Sequence, residues 1–221
     1  MHKITILKSY FELGSKAADY IEKTLLLPKS SIIFPTGSTP ISMYKELVKR
    51  NLNWSNTTTY TLDEYIQIKD SKKSYFYYMN KNLFNHTNIS SNKTNFLDYK
   101  TFSKTKNYGF YADLCILGIG RNGHIAFNEP GGSFDSETRI VELSKQTRKD
   151  NSRFFKSIQE VPLKAVTMGL KPIMSSKKIV LLAKGKSKKE ILEKAIFGEI
   201  TEKIPASILQ KHDNLKIYYC D

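Results

Sequence analysis

Short apolar runs alternate with amphipathic, helix-length stretches along the whole chain, and that alternation admits few folds. Residues 3–7, 31–34, 58–62, 112–117, 139–143, 178–183 and 215–220 read as strands. Residues 10–26, 41–50, 75–84, 145–156 and 188–197 read as helices. Strands that regularly alternate with helices predict a mostly parallel open sheet flanked by helices, an α/β fold built as a single domain over residues 1–221. Thr39 is the expected N-cap of helix 41–50, with Pro40 in its first turn. The aromatic helix 75–84 is expected to serve core packing. Residues 85–111, rich in Asn, Ser, Thr and Lys, form the least regular part, and neither a repeat nor a linker is visible.

Composition narrows the function. The chain has 221 residues, 40% hydrophobic and 25% charged, enough apolar mass for one large core. No apolar run approaches a membrane span, and the N-terminus reads as a first strand rather than a signal peptide, so a cytoplasmic protein is expected. Cys115 and Cys220 lie in strand-like runs and are expected to be buried, reduced thiols. The histidines, His2, His86, His124 and His212, are scattered, and no metal site is expected. The net charge of +14 comes from dispersed Lys and Arg without a long basic block or a nucleic-acid-binding motif. Such a field attracts a small anion such as a sugar phosphate more than it marks a nucleic-acid surface.

The stretch Leu117-Gly-Ile-Gly-Arg-Asn-Gly-His-Ile-Ala-Phe-Asn-Glu-Pro-Gly131 follows the apolar strand 112–117. Its glycines Gly118, Gly120 and Gly123 match the spacing of a dinucleotide-binding fingerprint, with Glu142 near the place of a ribose-binding acid. That motif requires a helix opening at the third glycine. Here Pro130, Gly131 and Gly132 follow too soon for a crossover helix, so no nicotinamide or flavin cofactor is expected. Gly185-Lys186-Ser187 ends like a phosphate-binding P-loop, but Val180 stands where that loop needs its first glycine.

Three predicted strand ends carry polar groups: Thr36-Gly-Ser-Thr39, Asp63-Glu64 and Asn122 to Glu129. In a parallel sheet all three open onto the same carboxyl edge. Thr36, Gly37, Ser38 and Thr39 bring amides and hydroxyls to a helix start, a natural anion site. Asp63, His124 and Glu129 supply groups for acid–base chemistry. Each is ordinary alone: an Asp-Glu pair at a strand end is usually solvated, and a lone histidine usually structural. Their convergence favours catalysis.

These residues carry a resemblance. Pro35-Thr-Gly-Ser-Thr-Pro40, Thr61-Leu-Asp-Glu-Tyr65, Gly118 to Gly131 and Thr147-Arg-Lys-Asp-Asn-Ser-Arg-Phe-Phe155 resemble the glucosamine-6-phosphate deaminase family. So do Val161-Pro162, Ala165-Val-Thr-Met-Gly169, Gly185-Lys-Ser-Lys188 and Pro205-Ala-Ser-Ile-Leu-Gln-Lys-His212. The resemblance implies a Rossmann-like domain and a cofactor-free aldose–ketose isomerisation with loss of ammonia, giving fructose 6-phosphate. It implies Asp63 as the base that moves a proton between C2 and C1, and His124, oriented by Glu129, as the group that assists ring opening. It implies Thr36, Gly37, Ser38, Thr39, Arg153 and Lys188 around the phosphate, Gly123 and Asn122 within the site, and a lid at about 141–163.

Three departures stand out. Some members have aspartate where Asn122 stands; the single-domain bacterial branch has asparagine. Allosteric hexameric members carry a lysine two positions after the arginine matching Arg139, where this chain has Val141, so a monomer or small homo-oligomer without an acetylated-sugar effector site is expected. Relative to the family, about a helix's length is missing between Phe84 and strand 112–117, which predicts an apolar sheet face protected by other means, such as a partner. The competing readings are a galactosamine-6-phosphate deaminase, a 6-phosphogluconolactonase, and a non-catalytic sugar-phosphate sensor.

Overall fold

The computed structural model describes residues 2–68, 70–104 and 107–221. The chain begins with β1 (Ile4–Ile6) and α1 (Tyr10–Leu25). The Ser9 hydroxyl caps α1 by accepting from the Glu12 amide at 3.1 Å, and Glu12 in turn accepts from the Lys8 amide at 2.8 Å. Next come β2 (Ser30–Phe34), α2 (Ile41–Arg50), β3 (Thr57–Thr61), β4 (Asp63–Tyr65), α3 (Tyr75–Asn82) and β5 (Thr94–Asn95). The second half holds β6 (Leu114–Gly118), β7 (Arg139–Glu142), α4 (Lys145–Asn151), β8 (Lys164–Thr167), α5 (Leu170–Met174), β9 (Ile179–Lys184), α6 (Lys189–Phe197) and β10 (Leu215–Cys220).

The main sheet has seven strands in the order β1-β10-β9-β6-β2-β3-β5. Every pairing in it is parallel. Side chains alternate between its two faces, so the apolar strands feed two cores. Ile32, Phe34, Leu114, Ile116, Val180 and Leu182 pack with Leu13, Ala17, Ile21, Met43 and Leu47 of α1 and α2. Ile33, Cys115, Leu117, Ile179 and Leu181 face Leu192, Ala195 and Ile196 of α6. Helices α1 and α2 cross closely because Gly14 has no side chain: a Cβ there would meet the Ser42 and Met43 backbone at 2.5 and 2.7 Å. Both cysteines are buried and free, and burial pushes the Cys115 thiol pKa up.

Several expectations are corrected. A strand does form there, over Arg139–Glu142, but β7 belongs to a second sheet, antiparallel and three-stranded, in the order β4-β8-β7. Ile140 and Glu142 of β7 are exposed, so one face of that strand is bare and it does not suit a sheet covered on both faces. The strand expected at 58–62 leaves the main sheet after Thr61 and enters the small sheet at Asp63. Thr39 is not the cap of α2: Pro40 takes the N-cap place, and no side chain caps this helix. The helix expected at 145–156 stops at Asn151 and continues as a short turn, Ser152–Phe154.

The segment before β6 itself covers part of the sheet. Leu97 and Tyr108 are buried in the second core, with Tyr99 and Phe102 packed against it. The Tyr108 phenol donates to the carbonyls of Asn95 at 2.9 Å and Thr61 at 3.1 Å. Four aromatic and aliphatic side chains on irregular backbone therefore do what a helix would do.

Candidate active site at the carboxyl edge

The strands β9, β6, β2 and β3 lie side by side and run parallel, so their carboxyl ends share one edge. The chain leaves β2 toward β3 on one side, whereas β6 is followed across the sheet by β9 and β10 on the other. A crevice for ligands forms at such a switch in an open α/β sheet. Thr36 to Thr39 follows β2, Asp63 follows β3, Asn122 to Glu129 follows β6, and Lys188 follows β9.

The loop after β6 brings three of the predicted residues into one hydrogen-bonded row. The Asn122 Nδ2 donates to Glu129 Oε2 at 2.8 Å, and Asn122 Oδ1 lies 2.7 Å from His124 Nδ1. The direct His124 Nδ1 to Glu129 Oε2 distance is 3.8 Å, too long for a hydrogen bond, so the hydrogen-bonded link between them runs through Asn122 while the carboxylate's charge still reaches the imidazole. A carboxylate only accepts, which turns the amide nitrogen toward Glu129 and the amide oxygen toward His124. That oxygen also only accepts, so Nδ1 carries the proton and Nε2 keeps its lone pair. Burial lowers the His124 pKa, with Glu129 opposing and Lys188 assisting. A neutral imidazole with a free Nε2 is the form that can take a proton.

Local backbone explains why the loop needs its glycines. A Cβ at Gly120 would lie 2.2 Å from the His124 ring, so only glycine lets the imidazole sit there. Gly123 has φ +83°, and a side chain there would strike Ile204 at 2.7 Å. No helix opens after Gly123; the chain turns and bridges Ile125 to Asn128. The dinucleotide fingerprint therefore lacks its required context.

Asp63 opens β4, paired with Thr167 of β8. It is buried, and its Oδ1 has no hydrogen-bond partner among the described residues. Burial, with Glu64 adding repulsion, holds its pKa well above the ordinary carboxylate range. Tyr65 and Tyr75 flank it, their ring centroids 4.8 Å apart. Glu64, which the sequence leaves in solvent, is a structural cap. Its carboxylate accepts from the amides of Tyr65, Tyr75 and Phe76 at 2.9, 3.0 and 2.9 Å and anchors the start of α3.

The loop after β2 has its amides free. Those of Thr36, Gly37, Ser38 and Thr39 donate to no other described residue. Gly37 has φ +91° and open space where a Cβ would stand. Arg153 Nη2 reaches Ser38 Oγ at 3.2 Å from the segment between β7 and β8. Lys188 Nζ donates to the Ile119 carbonyl at 2.8 Å. Burial lowers its pKa to about 8, with Asp150 opposing and Arg121 and Arg153 assisting. Unspent amides with Arg153 and Lys188 at the same sheet edge form a cradle suited to a dianion.

Some residues of this edge escape sequence reasoning. Thr147 Oγ1 lies 3.3 Å from His124 Nδ1, and Asn151 Nδ2 donates to the Tyr65 phenol at 2.9 Å. Both fall inside the Thr147 to Phe155 motif, which signals them without saying what they touch. Arg121 lies 3.8 Å from Asp150. Tyr75, assigned to core packing, has its phenol beside the Thr36 side chain. An apolar cleft between β1 and α6, lined by Ile4, Ile6, Leu192 and Phe197, holds none of these residues. Among the described residues, no group of His, Cys, Asp or Glu could hold a metal ion, and no helix is long and apolar enough to cross a membrane.

Residues 12–218 match the family described as glucosamine-6-phosphate isomerases/6-phosphogluconolactonase. A glucosamine-6-phosphate deaminase of Clostridium botulinum (strain Langeland) is 44% identical, with 97% of this chain and 94% of the relative covered. One from Lachnoclostridium phytofermentans is 42% identical, with 99% of each covered. A solved structure described as a monomeric glucosamine-6-phosphate deaminase superposes with a TM-score of 0.91 at 38% identity, covering 99% of this chain and 97% of that one. The 6-phosphogluconolactonase of Thermotoga maritima superposes with a TM-score of 0.75 at 21% identity, covering 100% and 99%, a likeness of fold alone.

Proposed function

The chain belongs to the glucosamine-6-phosphate isomerase/6-phosphogluconolactonase family, and on that premise we propose that it is a glucosamine-6-phosphate deaminase. It converts D-glucosamine 6-phosphate and water to D-fructose 6-phosphate and ammonium. His124 Nε2 takes the proton of the C1 hydroxyl and returns it to O5 as the ring opens. The Asp63 carboxylate removes the C2 proton, and the enolate oxygen takes a proton from the substrate's C2 ammonium group, giving a neutral enolamine. Asp63 then gives its proton to C1, leaving an iminium at C2. Water adds there, and the carbinolamine expels ammonia. These are proton transfers and one hydration, and no cofactor is required.

Thr36, Gly37, Ser38 and Thr39 hold the phosphate with Arg153 and Lys188, and Gly123 lets the His124 loop close on the sugar. Residues 141–163 act as a lid. Its Asn151 and Arg153 meet Tyr65 and Ser38 across the crevice, and Arg148 ties it internally to the carbonyls of Ile158 and Val161. The enzyme works in the cytoplasm as a monomer or small homo-oligomer.

The observation that carries the reading is Asp63, a buried carboxyl with raised pKa and an unpartnered oxygen at the edge where His124 is neutral. Lactone hydrolysis has no use for a base at C2. The test is ammonium release from glucosamine 6-phosphate and from galactosamine 6-phosphate, run beside opening of 6-phosphogluconolactone. Release from the gluco epimer is expected. Release from the galacto epimer alone, or lactone opening alone, would replace the reading, and inertness toward all three would favour a sensor.

A further inference from the structure

Behind the loop after β2, three tyrosines from three different helices hold three of its carbonyls. Tyr10 of α1 donates to the Ser38 carbonyl at 2.7 Å. Tyr78 of α3 donates to the Gly37 carbonyl at 2.6 Å. Tyr44 of α2 donates to the Pro35 carbonyl. We propose that Tyr10, Tyr44 and Tyr78 are positioning residues that aim the loop's amides at the substrate phosphate; this rests on the phosphate-binding part of the function proposed above.

The argument is one of peptide geometry. The described chain has no cis peptide bond, and in a trans peptide the C=O of one residue and the N–H of the next point in opposite directions. Fixing the Pro35 carbonyl therefore fixes the Thr36 amide. Fixing the Gly37 carbonyl fixes the Ser38 amide, and fixing the Ser38 carbonyl fixes the Thr39 amide. These are three of the four amides that donate to no other described residue. Each phenol pulls a carbonyl backward, so each amide faces forward, and the loop presents donors with its acceptors turned away. A loop free to rotate one of these peptides would put a carbonyl oxygen against the phosphate and lose both the contact and the preorganisation.

The phenols are themselves held. Burial raises the pKa of Tyr44 and of Tyr78, which keeps both protonated as donors. Their rings pack edge to face with centroids 6.1 Å apart. Tyr10 also accepts from the Ser42 amide in the first turn of α2 at 3.1 Å, tying the loop to the helix that follows it. Lys184 Nζ sits 3.4 Å from the centre of the Tyr10 ring, which strengthens the phenol as a donor and adds positive charge behind the loop.

The test uses the whole protein, isotopically labelled, titrated with inorganic phosphate and followed by amide NMR. In the wild type, Thr36, Ser38 and Thr39 amides should shift together on binding. Tyr78→Phe should reduce the response of Ser38, and Tyr10→Phe that of Thr39, each leaving the other amide responsive. The phosphate Kd should rise about tenfold for each lost bond. With glucosamine 6-phosphate, KM should rise in parallel while kcat stays within about twofold, because the reacting carbons are untouched. Tyr44→Phe strands a buried carbonyl and is expected to lower Tm as well, so the two partly exposed phenols carry the test. Unchanged amide responses and Kd in both Tyr10→Phe and Tyr78→Phe would overturn the proposal, as would loop amides that ignore phosphate in the wild type. Ammonium release by a protein with unresponsive loop amides would sink this inference and spare the deaminase; the converse result would do the opposite.

Discussion

Asn122 Oδ1 stands 2.7 Å from His124 Nδ1, and this one contact fixes the tautomer of the histidine. The neighbouring Glu129 carboxylate is hydrogen-bonded to the amide, not to the imidazole, and reaches the ring directly only by its charge across 3.8 Å. Asn122→Asp would place a second carboxyl within hydrogen-bond distance of Glu129, and the pair would share one proton. The single negative charge of that pair is then partly carried by the carboxyl 2.7 Å from Nδ1 instead of by Glu129 at 3.8 Å, so the imidazolium is better stabilised and the His124 pKa rises. Turnover should survive near neutral pH, but the acid limb of kcat/KM should move to higher pH, since His124 must be neutral to act. A pH–rate profile of the variant beside an NMR titration of His124 checks this; an unmoved acid limb would show that the imidazole does not set it.

Asp63→Asn should abolish turnover and stabilise the fold. The amide keeps the size of the side chain but cannot take the C2 proton, so kcat should fall roughly a hundredfold or more, with substrate binding retained. The stability sign follows from the raised pKa of the buried carboxyl. The fold favours the protonated form, so wild-type stability is lost as pH rises from the ordinary carboxylate range through the raised value. The variant does not ionise and should be more stable at neutral pH by about 1–3 kcal/mol. The gain should vanish below about pH 4, where both side chains are neutral. Thermal unfolding of both proteins across that range measures it, and equal stability at pH 7 would show that Asp63 ionises without cost.

Lys188 should give substrate binding an alkaline limit. Its ammonium titrates near a pKa of about 8 because burial opposes the charge. Above that value the free enzyme loses a phosphate contact and KM should climb, whereas kcat should persist further, since bound phosphate keeps the ammonium protonated. Lys188→Ala and Arg153→Ala should each raise KM about 10–100-fold, the range of a lost charge-assisted bond. Lys188→Ala should also flatten the alkaline rise in KM, which Arg153→Ala should not. An unchanged KM in either variant removes that residue from the phosphate site.

The main sheet was legible because both its faces are covered: β6 and β9 are nearly continuous apolar runs, and no other element tolerates that pattern with such short length. The small sheet was not, since β4 is three residues containing Asp63 and Glu64, and its pairing with β8 is set by contacts about a hundred positions away in sequence. The row from Glu129 through Asn122 to His124 was legible as a set of residues but not as a sequence of contacts, because spacing along a loop does not say which side chain bridges which. Tyr78 shows the same limit. Its place in an aromatic helix signals burial, and only the fold shows that its hydroxyl reaches the Gly37 carbonyl. The cap expected at Thr39 failed because the loop before α2 keeps its donors uncapped, which local helix rules do not foresee.

N-acetylglucosamine 6-phosphate should not activate this protein. Val141, where allosteric relatives resemble one another in carrying a lysine, is partly buried against the small core formed by Tyr65, Phe127, Leu143, Val161 and Ala165, and offers an effector neither charge nor hydrogen bond. The cation beside it is engaged: Arg139 Nη1 donates to Asn128 Oδ1 at 2.9 Å and to the Glu137 carbonyl at 3.3 Å. The next polar side chain on β7, Glu142, is exposed and would repel a phosphate, and among the described residues its one salt bridge is a 3.6 Å contact to Lys164. An activator shifts an equilibrium only by binding one state better than the other, and a surface that cannot hold the phosphate supplies no such difference. Rate should therefore rise hyperbolically with glucosamine 6-phosphate, with the same curve in the presence of the acetylated sugar, apart from competition at the active site. A sigmoidal curve that the acetylated sugar converts to a hyperbolic one would show an effector site that these residues do not provide.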